Sequence, residues 1–207
     1  MSGLLLKDLY ILKKYGKTMV ALILFFSLFA VFSKDAGFLS GMIIFVGTTM
    51  AINSFSYDDL SKWQSFALVM PVKRRTVVLA KYLFTLILAV GSTLFSVVLN
   101  VILGLVRRNI DMDSILPVAG IMLGLVLVIN AIILPLIYKF GVEKSRLLMI
   151  VVYALPAVLI ISALNFGSSF PALLPLNLLA ALSPVLVAAV FWGSYLLSCR
   201  IYEKKEV

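Results

Sequence analysis

Residues 82–106, YLFTLILAVGSTLFSVVLNVILGLV, run for 25 positions without a charged side chain. A helix of about 20 apolar residues crosses the hydrocarbon core of a bilayer. Apolar and polar residues do not alternate strictly here, which argues against a strand of a transmembrane barrel. In lipid, backbone N–H and C=O groups have no water to bond, so such a run must be helical. Five further runs read the same way, at 18–32, 36–55, 115–138, 147–166 and 178–199. The expected architecture is an all-α membrane protein, a single transmembrane domain over 1–207 built as a six-transmembrane-helix bundle. The first run is short, but it lies behind a 17-residue segment, and Ser33-Lys34-Asp35 is a poor signal-peptide cleavage site. It therefore reads as a retained helix.

Composition agrees. The 207 residues are 63% hydrophobic and 13% charged, against about half and a quarter in a soluble domain. Such a chain cannot give a soluble fold its polar surface. Histidine is absent and Cys199 is the single cysteine. That excludes histidine acid–base catalysis, Ser-His-Asp and Cys-His nucleophiles, the usual zinc sets and an internal disulfide. At the end of the last apolar run, Cys199 reads as a small hydrophobe.

Charge sorting sets the orientation. With six spans, both termini fall on one side, together with the 56–80 and 139–146 connections. That side holds 15 of the 18 cations, and only Lys34, Arg107 and Arg108 fall on the other. The acidic residues divide six and three, so the whole net charge of +9 lies on the first side and the other side sums to zero. The positive-inside rule makes that side cytoplasmic, in a multi-pass protein of a cell membrane with both termini inside. The basicity marks orientation and anionic lipid, and gives no support to a nucleic-acid partner.

The outer connections 33–35, 107–114 and 167–177 are short, and the last is apolar enough to be either a plain loop or a re-entrant segment. The N-terminal stretch 4–17 mixes Leu5, Leu6, Leu9, Tyr10 and Leu12 with Lys7, Asp8, Lys13 and Lys14. It reads either as an N-terminal interfacial helix or as an extension of the first span. The long polar connection is 56–80. Asp58 or Asp59 suits a helix N-cap there, Leu60, Trp63, Ala67 and Met70 recur at helical spacing, and Pro71 ends the run. The resulting amphipathic helix either rests on the membrane or fits a groove on another protein.

The run from Tyr57-Asp58-Asp59 to Met70-Pro71-Val72-Lys73-Arg74, continued by Val77-Val78-Leu79-Ala80-Lys81-Tyr82, resembles the bacterial ABC type-2 transporter permease family. Met70 stands where leucine is commoner. The patch 135–146, including Lys139, Gly141, Glu143, Lys144 and Arg146, is similar to the family's next cytoplasmic loop. Residues 4–10 resemble its N-terminal interfacial helix. Gly141 also reads by itself as a helix stop.

The resemblance implies a permease subunit of an ATP-driven exporter. Two permease copies or paralogues would pair with two ABC ATPase subunits, which would carry ATP and Mg, and this chain would bind no cofactor itself. A cytoplasmic coupling helix at 59–69 would dock in a cleft of the ATPase. Asp58, Asp59, Leu60, Trp63, Phe66, Met70, Pro71 and Arg74 would form that contact, with Gly141, Glu143 and Arg146 in a second one. Within the family, phenol-soluble-modulin and antimicrobial-peptide exporter permeases look closest, which suggests an amphipathic or hydrophobic cargo, a peptide above all.

The residues agree in one respect. No phosphate-binding Gly-x-x-x-x-Gly-Lys-Ser/Thr loop occurs. Gly16-Lys17-Thr18 lacks it because Ile11 holds the first glycine position and no strand precedes. ATP hydrolysis must come from a partner, so the chain reads as no enzyme. No charged residue is expected deep in a span, which disfavours ion coupling. Thr48, Thr49, Asn53, Ser96, Asn100 and Asn130 either line a substrate path or bond helix to helix. The alternative function is a non-transporting membrane scaffold or self-protection protein that binds hydrophobic peptides.

Overall fold

A computed structural model describes residues 2–33, 36–63, 66, 73–106, 112–166 and 176–204; the side chains of 2, 29–33, 36, 155–157, 159–166 and 176–181 lie outside that description. Every regular element among the described residues is a helix: α1 (Ser2–Ser33), α2 (Ala36–Leu60), α3 (Arg74–Val106), α4 (Met112–Phe166) and α5 (Leu176–Glu203). Four stretches, Gly37–Leu60, Arg74–Val106, Met112–Ala154 and Leu182–Glu203, are long and apolar enough to cross a membrane. The chain divides into two compact units, 1–127 and 128–206.

In the first unit α2 and α3 are antiparallel, as three contacts along their length require. Ser40 meets Asn100, Gly47 meets Ser92, and Ser54 meets Lys81. Leu39 and Ile43 of α2 form a buried cluster against Leu99 and Leu103 of α3. The helices approach closely at Gly47, where an added Cβ would stand 2.5 Å from the Ser92 Cβ. Small residues permit such contact, and in lipid close packing replaces the hydrophobic drive between helices.

α3 is inverted relative to a soluble helix. Leu83, Ile87, Val90, Leu94, Val98, Ile102 and Leu105 are exposed at helical spacing, while Thr85, Ala89, Ser96, Asn100 and Gly104 are buried. Large apolar side chains on the outer face suit hydrocarbon, and small or polar ones on the inner face suit a neighbouring backbone. α5 repeats the arrangement, with Val185, Leu186, Val190 and Leu197 exposed and Ser194, Ser198 and Cys199 buried. Cys199 is a free, buried cysteine, as its place in the sequence suggests.

In the second unit, Ala131 and Tyr138 of α4 meet Ser194 and Tyr202 of α5, in that order. Both partners advance by about two turns, so these parts of α4 and α5 are parallel. Between them α4 breaks at Gly141, with φ 78° and ψ 169°. That region of backbone space is open essentially to glycine alone. The helix stop read at Gly141 is therefore present.

One expectation changes. The 56–80 connection is shorter than its polarity suggested, because α2 continues to Leu60 and α3 begins at Arg74. Asp58 and Asp59 thus end one helix and do not cap a new one. α2 closes with Ser61 N–H donating to the Tyr57 carbonyl (2.9 Å) and Lys62 N–H to that of Asp59 (3.1 Å). Lys62 then turns left-handed, φ 51°, at a cost to an L residue of roughly 1–2 kcal/mol. Ser2–Ser33 is one uninterrupted helix, so residues 4–17 are continuous with the first apolar run. Met70, Pro71, residues 34–35 and 107–111, and the 167–175 segment with its two readings lie outside the described residues.

Gly47→Val should lower the thermal stability of the detergent-solubilised protein by about 1–3 kcal/mol, the usual cost of overpacking. Gly91→Ala, where an added Cβ meets nothing within 4 Å, should be neutral or slightly stabilising in the same assay.

Candidate functional site

At the Leu60 end of α2 the three helices of the first unit bring four charges together. Lys7 and Asp8 come from α1, Asp58 from α2 and Lys81 from α3. The Lys81 ammonium donates to Asp8 Oδ1 (2.8 Å) and to the Ser54 hydroxyl (2.8 Å), and pairs with Asp58 Oδ2 at 2.7 Å. Lys7 donates to Asp58 Oδ1 at 2.6 Å and lies 3.5 Å from Asp8 Oδ1. Ser54 donates its own hydroxyl to Asp8 Oδ1 at 2.8 Å.

The side chains of Asp8, Lys81 and Asp58 are 1%, 6% and 8% exposed, and that of Lys7 is 23% exposed. Two cations and two carboxylates balance. A lone buried charge would be prohibitive, but a hydrogen-bonded neutral set offsets the desolvation.

Aromatic rings close the cluster. Phe55 lies under the Lys81 ammonium at 4.9 Å, and Trp63 lies under that of Lys7 at 4.3 Å. A ring face attracts a cation through its quadrupole. About two turns further along α1, Lys14 stands 5.2 Å from the Tyr57 ring, which also meets Tyr15 edge-on at 5.5 Å. Beyond the cluster the apolar side chains turn outward. Leu60 is 80% exposed and Phe66 62% exposed.

The expected contact residues are therefore sorted by the fold. Asp58 is enclosed in the ion cluster, Trp63 is half-buried on Lys7, and Leu60 and Phe66 are surface. Asp59 and Arg74 are half-buried, each with a partner. In the second unit, Glu143 and Arg146 follow Gly141 on an exposed turn. Their separation of 3.8 Å and exposure of 83% and 59% make a weak pair.

Lys7, Asp8, Ser54 and Lys81 were not expected together. Lys81 stands immediately before an apolar run in the sequence, yet its charge is buried against carboxylates 73 and 23 positions away. One signal was available: Asp8 is the lone acid among Lys7, Lys13, Lys14 and Lys17. A carboxylate placed near anionic headgroups is unfavourable unless something pairs it.

The polar residues inside the apolar runs mostly bond their own helices or a neighbour. Thr48 donates to the Ile44 and Phe45 carbonyls, and Thr49 to those of Phe45 and Val46. Asn53 contacts the Met50 sulfur at 3.4 Å. Asn100 donates to the Ser40 hydroxyl (3.0 Å) and to the Ser96 carbonyl (2.9 Å), linking α3 to α2. Asn130 is buried in the second unit. The Ser96 hydroxyl is buried with no hydrogen-bond partner among the described residues. Interhelical bonding accounts for Asn100, at about 0.6–2 kcal/mol.

Lys81→Met should destabilise the protein by about 3–5 kcal/mol, because two buried carboxylates then face one cation. Lys81→Met combined with Asp8→Asn restores neutrality and should recover most of the loss, read as the melting midpoint in detergent.

Comparison with known proteins gives one match. Residues 3–203 match the sequence model of a family described as ABC-2 family transporter protein. No curated protein and no solved structure matches the chain.

Proposed function

We propose a function on the premise that this chain belongs to the ABC-2 transporter family: it is the membrane permease subunit of an ATP-binding cassette exporter. Membership implies an ABC ATPase subunit as partner. On this reading ATP and Mg bind that partner, and this chain converts the partner's motion into movement of its helices. A second permease copy or a paralogue completes the complex within the membrane lipids, with no part for nucleic acid.

The observation that carries the reading is the surface beyond the ion cluster. Leu60 and Phe66 are large apolar side chains held in the open, next to a half-buried Trp63. Aromatic anchors of this kind dominate small protein interfaces. The segment at 59–69 is accordingly proposed as the coupling helix, with Met70, Pro71 and Arg74 flanking it. The turn at Gly141, with Glu143 and Arg146, is proposed as the second contact.

Six spans with both termini in the cytoplasm remain the proposed topology of a single transmembrane domain in the bacterial cytoplasmic membrane. Two geometries support it. α2 and α3 are antiparallel, and the contacting parts of α4 and α5 are parallel. A parallel pair in one chain requires a return crossing between them, and the helical residues after Gly141 supply the length for one. The N-terminal half of α1, with exposed Lys13, Lys14 and Lys17, is proposed to lie at the inner headgroups, where anionic lipid favours cations.

The cargo is proposed to be amphipathic or hydrophobic, most simply a peptide, moved outward. The wide apolar outer faces of α3 and α5 suit entry from the bilayer. Thr48, Thr49, Asn53, Ser96, Asn100 and Asn130 are the residues proposed to face it at some stage of the cycle.

Trp63→Ala and Phe66→Ala should each weaken affinity for the ATPase subunit at least tenfold, the effect of losing about 1.4 kcal/mol or more at an anchor, read as reduced co-purification and lower ATP hydrolysis. Unchanged association in both variants would remove 59–69 from the interface. In the reconstituted complex, a panel of amphipathic peptides should stimulate hydrolysis. Stimulation by soluble sugars or inorganic ions alone would overturn the cargo assignment.

A further inference from the structure

A turn, not a continuous helix, joins α2 to Trp63. α2 ends at Leu60, residues 61 and 62 form a turn, and Lys62 sits at φ 51°. A push on Trp63 would reach α2 through that turn and, along the chain, would reach α1 only after the whole length of α2. A second path bypasses it. Lys7 of α1 covers the Trp63 ring at 4.3 Å and bonds Asp58 at 2.6 Å with the same ammonium. Its neighbour Asp8 is held by Lys81 of α3 and Ser54 of α2, each at 2.8 Å.

We infer that this buried cluster is a positioning joint: Lys7 ties α1 to the Trp63 segment and to Asp58 of α2, and only this tie together with the Asp8–Lys81–Asp58 bonds makes α1, α2 and α3 move as one body, so that without Lys7 α1 pivots about Asp8. The inference rests on the coupling role proposed for Trp63 and adds which helices its motion drives. Three observations support it beyond simple stabilisation. Buried ion sets are poor sources of net stability compared with apolar side chains of similar volume, so their use points to a need for fixed register. Each helix contributes to at least two of the short bonds, so none can slide by a turn without breaking charge-assisted contacts. And Lys7, the most exposed of the four, is the one that leaves the cluster to touch the segment beyond the turn.

The test uses the complete complex of permease and ATPase in lipid nanodiscs, in a Cys199→Ser background. Spin labels are placed on two exposed sites, Tyr10→Cys in α1 and Leu94→Cys in α3, with labelled chains diluted by unlabelled ones. The distance is read before and after trapping with MgATP and vanadate. With Lys7 intact the α1–α3 distance should stay constant on trapping. In Lys7→Met it should change by at least about 2 Å, the scale of helix shifts at switching interfaces, and Lys7→Arg should restore constancy.

Should Lys7→Met alone not fold, Lys7→Met with Asp58→Asn keeps the cluster neutral and gives the same reading. A distance that is constant in wild type and in the folded Lys7 variants alike, with ATPase still bound and dependent on Trp63, overturns the joint. A distance that already changes in wild type overturns it as well. Loss of melting temperature without any change in the trapped distance assigns the cluster to stability alone, against the inference. The coupling reading fails separately, by ATPase binding that ignores Trp63→Ala.

Discussion

Charge neutrality at a largely buried site governs the first unit of this protein. Lys7, Asp8, Asp58 and Lys81 are drawn from three helices, and no one of them is tolerable there alone. A buried ion cannot ignore its neighbours, because the energy lost on leaving water is recovered only within hydrogen-bond distance of a countercharge. This requirement fixes more than a contact. It sets the depth at which α1 meets α2, the register of α2 on α3, and the position of Trp63 over Lys7. The other α2–α3 contacts, at Gly47 and at Ser40 with Asn100, lie along the line that this end establishes.

The rest of the fold answers to the opposite condition. Along α3 and α5 the large aliphatic side chains face outward and the small and polar ones face inward. Lipid gives helices no hydrophobic reason to associate, so association depends on close backbone approach and on polar groups that find partners. The hydroxyl of Ser194, donated to the Ala131 carbonyl at 2.5 Å, is such a partner in the second unit. Within an ABC-2 transporter, this division leaves a chain whose outer faces lipid can cover and whose charged cluster joins three helices.

How much of this was legible in the sequence depends on whether the cause was local. The helical character of 82–106 follows from an uninterrupted apolar run, and the break at Gly141 from a residue with access to backbone angles that others avoid. The resemblance around Tyr57-Asp58-Asp59 also led to the family that the whole-chain comparison supports. The ion contacts of Asp58 are not legible in sequence because its partners, Lys7 and Lys81, lie 51 and 23 positions away, and an aspartate before an amphipathic run looks like a cap. Asn100 could be read as path or as packing until Ser40 stood 3.0 Å from it.

The sequence by itself determined that the chain is helical and apolar enough to span a membrane, that it is strongly basic, and that it carries no phosphate-binding glycine loop. Those properties are sums over composition and short windows, which need no knowledge of what meets what. Tertiary structure alone decided that two lysines and two aspartates form one neutral cluster, and that Lys81 lies inside the protein while Leu60 and Phe66 lie outside it. The excess of nine positive charges is what the expected orientation of the chain rests on. Four of its charges, which cancel in that count, hold three of its helices together.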